Sequence, residues 1–195
     1  MSTTGQEAPA ATAGRREQLL AAAREVLALN GYERTTVSSI ATRAKVAQGT
    51  FYLYFPSKEA LPGALAEQVH EALGAATDRV TEQPANLEEA VEALVGATFE
   101  AAEKFKDVLP IANRGVELAS DWDEWCRITA PWRDALEHFL RTFQERGSVD
   151  ASLDVPTTAN VLRDLLDRAV KARVLFGQQE YALATATLVR RALAS

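Results

Sequence analysis

The sequence predicts an all-α protein of about nine helices. Apolar residues recur at three- and four-residue spacing almost throughout the 195-residue chain, which is the signature of helices with one buried face. Alternating β-branched runs are few, and no Asn-Gly or Asp-Gly pair joins two such runs as a hairpin. Glycine and proline fall mainly where one apolar period ends and the next begins.

The first helix is expected over 15–29, with Leu19, Ala22, Ala23, Val26 and Leu27 on one face. Asn30 and Gly31 stop it, because glycine accepts the left-handed backbone that a helix end needs. Thr36 has the hydroxyl to cap a second helix over 37–44, and Lys45-Val46 forms a tight turn. A short third helix over 47–55 ends at Pro56. Ser57 caps a fourth, which tolerates Pro62 in its first turns and runs to about residue 80. After a loop over 81–86 that contains Pro84, helices are expected over 87–104, 108–119 and 121–146, the last kinked or broken at Pro131. A loop over 147–156 leads to two closing helices, 157–176 and 179–194, with Gly177 between them. Residues 1–14 read as a disordered tail, 15–60 as a three-helix head and 61–195 as a larger bundle.

The net charge of −6 hides an asymmetry. Residues 15–58 hold seven basic and three acidic side chains, a net of +4, whereas the remainder sums to −10. A basic module on an acidic body is the pattern expected when one end meets phosphate. There is one cysteine, Cys126, so an internal disulfide is excluded and a reducing, cytoplasmic setting fits. No signal peptide and no apolar run of membrane-spanning length is read.

Two short helices joined by a tight turn inside the basic segment form a helix-turn-helix candidate. At 100° per residue, Phe51 and Phe55 lie together on the inner side of the third helix. Gly49 and Leu53 point outward, flanked by Gln48 with Tyr52 and by Thr50 with Tyr54. Such a small, polar N-terminal arc suits a recognition helix, with Gln48 able to pair with adenine and Leu53 able to touch a thymine methyl group. The competing reading makes all four aromatics ordinary bundle core. It accounts for Phe51 and Phe55 but not for two tyrosines and a leucine on the outer arc.

The residues themselves carry a resemblance. Thr35, Thr36, Val37, Ser38, Ser39, Ile40 and Ala41 are followed by an unbroken run from Val46 to Leu61 that holds Gln48, Gly49, Phe51, Tyr52, Tyr54, Phe55, Pro56 and Lys58. This pattern closely resembles the tetracycline-repressor family over residues 15–65, about a quarter of the chain. The resemblance implies that Thr36, Tyr52, Tyr54 and Lys58 hold DNA phosphates while Ser38, Gln48, Gly49 and Leu53 sit nearest the bases. Arg43, Lys45 and Thr50 complete the set expected to face DNA. Two positions depart from the family pattern: Lys45 stands where glycine is common in the turn, and Ala47 stands where a capping Ser or Thr is usual.

For the body, the resemblance implies a small-molecule cavity among the middle helices. All three tryptophans fall on one stripe, Trp122, Trp125, Thr129, Trp132, Leu136, Phe139, Phe143. That stripe is either core or the wall of such a cavity. The expected ligand-facing residues are Phe99, Asn113, Arg114, Glu117, Trp122, Trp125, Trp132 and His138. The closing helices carry Leu162, Leu165, Leu166, Ala169, Val170, Leu183, Ala186 and Val189, an apolar set suited to a four-helix dimer interface.

The expected function is therefore a DNA-binding regulator, not an enzyme: a homodimeric repressor that releases a near-palindromic double-stranded operator on binding a small-molecule effector. The alternative is an activator or a ligand-independent DNA-binding protein. No cofactor is expected, since no phosphate-binding glycine loop and no metal-ligand spacing around His70 or His138 is found.

Overall fold

Helix α1 starts further back than its apolar face predicts. The computed structural model describes residues 9–83, 86–117, 119 and 122–194. In it α1 spans Pro9–Arg34, so residues 9–14 of the expected disordered tail are its first turns. Residues 1–8 of that tail, Pro84 of the expected loop and Asp121 at the expected start of the long helix lie outside the described residues.

The stop at Gly31 is realised as a left-handed residue, φ +72°, inside α1. Thr35 Oγ1 donates to the Gly31 carbonyl at 2.8 Å, satisfying one of the acceptors that the helix end exposes. Helices α2 (Val37–Arg43) and α3 (Gln48–Tyr52) complete the head, and one 3₁₀ turn, Lys58–Ala60, leads into α4 (Leu61–Thr81). The body follows as α5 (Leu87–Glu103), α6 (Leu109–Glu117), α7 (Trp122–Glu145), α8 (Val155–Val170) and α9 (Tyr181–Leu193). Among the described residues there is no strand, only an isolated antiparallel bridge between Val149 and Ala194.

Both ends of α8 differ from the sequence reading, and at α7 one of two expected outcomes falls away. Of the kink or break expected at Pro131, the break is absent, since α7 runs through it as one helix. At that level Gly74 of α4 lies so close that a Cβ on it would stand 2.5 Å from the Pro131 carbonyl oxygen. Helix α8 begins two residues early, because Asp154 accepts from the Thr157 amide at 3.0 Å and Pro156 fits the first turn, where no amide proton is needed. At its far end α8 loosens into one π turn, Lys171–Leu175, before Gly177.

Helix α4 is the hub, packing on α5, α6 and α7, while α8 lies on α7 and α9 on α5. Head and body share one continuous apolar cluster. It runs from Leu19, Leu27, Ile40 and Phe51 through Leu61 and Leu65 to Trp132, Leu136 and Phe139. Among the described residues no helix is long and apolar enough to cross a membrane.

Candidate nucleic-acid interface and effector site

The DNA-facing side is built by a capped helix, a strained turn and a short helix. Thr36 Oγ1 accepts from the Ser39 amide and Ser39 Oγ accepts from the Thr36 amide, both at 3.1 Å, a reciprocal box that starts α2. Ile40 and Ala41 point inward from α2. Lys45 then takes φ +55°, the left-handed conformation, at about 1–2 kcal/mol relative to an ordinary residue position. Val46 N donates to Ala41 O at 3.0 Å and Gln18 Nε2 to Ala44 O at 2.9 Å, so the turn is pinned to both neighbouring helices. Ala47 opens α3 without a side-chain cap, as its identity requires.

Phe51 and Phe55 are buried with ring centroids 5.3 Å apart, which settles the two aromatic readings for those residues as core. On the opposite side Gln48 and Gly49 are exposed, Tyr52 is 50% exposed and Leu53 79% exposed. Thr36, Ser38, Arg43 and Lys45 are exposed on the same head, and Thr50 is half-buried. A Cβ added at Gly49 would meet nothing within 4 Å, so the protein's own packing does not require a glycine there.

Several expected phosphate holders have duties within the chain. The Thr36 hydroxyl serves the capping box. Arg43 Nε is bonded to Glu25 of α1. Lys58 Nζ donates to the Tyr32 carbonyl at 3.3 Å and lies 4.6 Å from the Tyr32 ring centroid. Tyr54, one turn on from Phe51, turns inward and lines a cleft of about 260 Å³ between head and body, beside Arg16, Glu67 and Arg127. Of the residues expected to face DNA, Ser38, Lys45, Gln48, Tyr52 and Leu53 are exposed and carry none of these duties.

Polar contacts tie the head to the body. Glu67 of α4 is bonded to Arg16 of α1 at 2.8 Å and also to Arg127 of α7. Arg24 holds Asp107 at 2.6 and 2.9 Å, which keeps the Asp107 carboxyl below the usual carboxylate range, and its guanidinium lies 4.7 Å from the Phe105 ring. Arg114 of α6 lies 5.7 Å from the Tyr32 ring and 4.0 Å from Glu33. Below it, a Cβ on Gly115 would stand 2.3 Å from the Pro62 carbonyl, so α6 rests directly on the backbone that starts α4.

The body separates the expected ligand residues. Trp132 is fully buried, and it lines a cavity of about 20 Å³ together with Asn113 and His70. Trp125 is half-buried, stacked on Trp122 at 4.7 Å and covered by the Arg163 guanidinium at 4.5 Å. Trp122 is 69% exposed, so the stripe leaves the interior at its N-terminal end. Phe99 is buried in α5 under Arg173, away from this cavity. Arg114 and Glu117 are exposed, and His138 lies on the surface 3.4 Å from Asp78. Cys126 is half-buried and free.

Sequence reasoning missed His70 and Arg163. Both are buried, and neither His70 Nδ1, Trp132 Nε1 nor Arg163 Nε has a hydrogen-bond partner among the described residues. The available signal was an ionisable residue inside an apolar stripe, Ala66, Val69, His70, Leu73 on α4 and Leu162, Arg163, Leu166 on α8. Burial, with Arg163 and Lys171 adding to it, lowers the His70 pKa to about 3. Because the unfolded chain binds that proton near pH 6.5 and the folded chain does not, stability falls as pH drops through the interval from 6.5 towards 3. Chemical denaturation should show about 2–3 kcal/mol lost between pH 7 and pH 4.5, and His70→Phe should remove most of that loss.

Burial within the single chain divides the expected dimer set. Leu162, Leu166, Ala169, Val170 and Val189 pack into its core. Leu165 and Ala186 are half-buried and Leu183 is 76% exposed. The large apolar side chains that do face outward on α8, α9 and their connection are Val161, Phe176, Tyr181, Leu183 and Leu188.

A head that presents a short polar-aromatic helix beyond a strained turn, mounted on a helical body, defines a helix-turn-helix transcriptional regulator. Residues 19–65 match the family description "Bacterial regulatory proteins, tetR family", and residues 91–190 match "Tetracyclin repressor-like, C-terminal domain". The chain belongs to the tetracycline-repressor family, whose members are non-enzymatic DNA-binding regulators. It is 29% identical to the "Uncharacterized HTH-type transcriptional regulator YvdT" of Bacillus subtilis, with 84% of each chain covered. It is 27% identical to the "Fatty acid metabolism regulator protein" of the same organism, over 91% of this chain and 93% of that one. The solved structure of Bacillus subtilis FadR in complex with stearoyl-CoA shares the fold with a TM-score of 0.69 at 24% identity, covering 92% of this chain and 97% of that one.

Proposed function

We propose that this regulator is a cytoplasmic, homodimeric repressor that grips a near-palindromic operator through α3 and lets go when a small molecule enters the body. The observation that carries the DNA reading is Gly49: its surroundings within the chain are open, so an approach by something outside the chain is what a bare backbone there serves. Ser38, Gln48, Gly49 and Leu53 would face base edges, with Lys45 and Tyr52 on phosphates. Arg43 and Lys58 would reach DNA only by leaving Glu25 and Tyr32.

The unpaired apolar side chains Val161, Phe176, Leu183 and Leu188 support pairing with a second copy through α8 and α9. Such a dimer would set two recognition helices about 34–36 Å apart, one helical turn of DNA. Leu183→Asp should therefore give a monomer by light scattering at micromolar concentration and weaken operator binding, and a dimer unchanged by it would point to another face.

The release step rests on the contacts of α6. Its Leu109, Ala112 and Asn113 close the cavity at Trp132, while Gly115 rests on Pro62 and Arg114 on Tyr32. A ligand that displaces α6 would move the start of α4 and the head with it, shifting the population away from the DNA-binding arrangement. Coupling of about 1–3 kcal/mol, or 5- to 150-fold in affinity, is the expected range. The test is operator selection from a random DNA pool, followed by fluorescence anisotropy against salt and against candidate ligands. Binding should weaken steeply with salt, and a ligand with equal affinity for free and operator-bound protein would overturn the release step.

A further inference from the structure

The chemistry of the effector follows from what the cavity leaves unmatched, an inference that rests on the ligand-responsive reading above. Five side chains have a buried polar atom with no partner among the described residues, Thr98, Asn160, His70, Trp132 and Arg163, and of these His70 Nδ1 on α4 and Trp132 Nε1 on α7 belong to residues that line one cavity. His70 and Trp132 line the cavity with their ring centroids 5.8 Å apart. Arg163 is only 3% exposed, with one guanidinium nitrogen on Asp164 at 2.5 Å and its plane over Trp125. Buried polar groups in native proteins are nearly always satisfied, so these atoms call for a partner that the chain does not supply, a water in the resting cavity or a ligand group in its place.

The identity of the unmatched atoms restricts that partner. Indole Nε1 and guanidinium Nε can only donate, and a neutral imidazole offers one donor beside one acceptor. The complementary group must therefore accept several hydrogen bonds. Arg163 and Lys171 both act on His70 from the α8 side, and each disfavours a positive charge there. Lys171 is paired with Asp167 at 2.8 Å, and Asp167 reaches the cavity edge with Asn113. The rest of the wall is apolar, with Val69, Leu73, Leu109 and Val116 among its residues. We propose that the effector is an apolar monocarboxylate whose carboxylate accepts from Trp132 and His70, in a cavity whose one wall carboxylate, Asp167, is already held by Lys171.

At about 20 Å³ the closed cavity has room for about one water, so a hydrocarbon body enters only as the walls part. The shortest helix of the wall is α6, nine residues long and resting on Pro62 through Gly115. Occupancy by a carboxylate and displacement of α6 are then the same event.

The experiment titrates the full-length chain by calorimetry with octanoate, octan-1-ol and octylamine at pH 7, three eight-carbon probes that differ only in the headgroup, and with benzoate, 1-naphthoate and oleate to vary the body. Octanoate is expected to bind at least ten-fold tighter than the alcohol or the amine. His70→Phe and Trp132→Phe should each cut that preference at least five-fold while octanol affinity stays within two-fold. Helical circular dichroism and unliganded operator affinity confirm that these variants fold. Equal binding of octanol and octanoate, retention of the preference in both variants, or failure of every carboxylate to bind overturns the proposal. The two readings separate in the anisotropy assay. Carboxylate binding that leaves operator affinity unchanged would reject release while supporting the headgroup assignment. Operator release by octanol as effectively as by octanoate would do the reverse.

Discussion

Tyr52→Ala is expected to lower operator affinity by about 100-fold while leaving the folded state almost untouched. The ring is half exposed, and its main internal contact is edge-on to Phe51 at 5.6 Å, so truncation removes little core. A hydroxyl on a phosphate contributes about 1.5 kcal/mol or more as a hydrogen bond to a charged group, and a dimer loses two of them, which gives the 100-fold. Tyr52→Phe isolates the hydroxyl and should account for most of the loss. Gly49→Val is the steric counterpart: open space within the chain accepts the side chain, whereas a groove floor would not. It should match or exceed the Tyr52 effect in anisotropy, with an unchanged melting temperature. Lys45→Ala should flatten the salt dependence by about one phosphate per subunit. Unchanged binding in Tyr52→Ala and Gly49→Val together would remove α3 from the interface.

The second large effect is expected at Gly115. Its Cβ position is occupied by the Pro62 carbonyl, which is backbone and cannot rotate away. Gly115→Val forces α6 off α4, and overpacking of this kind costs about 1–3 kcal/mol. For a chain of this size that is a drop of about 2–12 °C in melting temperature. Because the displaced contact also carries Arg114 and Tyr32, operator affinity should fall with it, imitating the liganded state. Gly96→Ala is the control: exposed in α5, with nothing within 4 Å of its added Cβ, it should raise stability by about 0.5–1 kcal/mol and leave operator binding alone. Reduced stability in Gly115→Val with full operator affinity would show that the head does not feel α6.

The head was legible because its signals are local. Thr36, Gly31, the Lys45 turn and the Phe51–Phe55 spacing each act within a few residues, and each appears where its chemistry places it. The long helix was legible in its apolar stripe, whereas the choice between kink and break at Pro131 stayed open, since continuity there depends on how α4 passes beside it at Gly74. The expected sites in the body fared differently. Trp122, Trp125 and Trp132 share one helical stripe, yet one is exposed, one half-buried and one sealed, because different neighbours cover successive turns of α7.

From the amino-acid sequence alone came the all-helical class, the order of the helices and the outward face of α3. Tertiary packing decided that Leu162 and Leu166 belong to the monomer's core while Leu183 stays outside, and that Arg163, set between Leu162 and Asp164 in sequence, is the buried charge. Periodicity defines an angle about each helix's own axis. Which neighbour, cavity or solvent occupies that angle depends on contacts between residues far apart in the chain, and no local pattern encodes them.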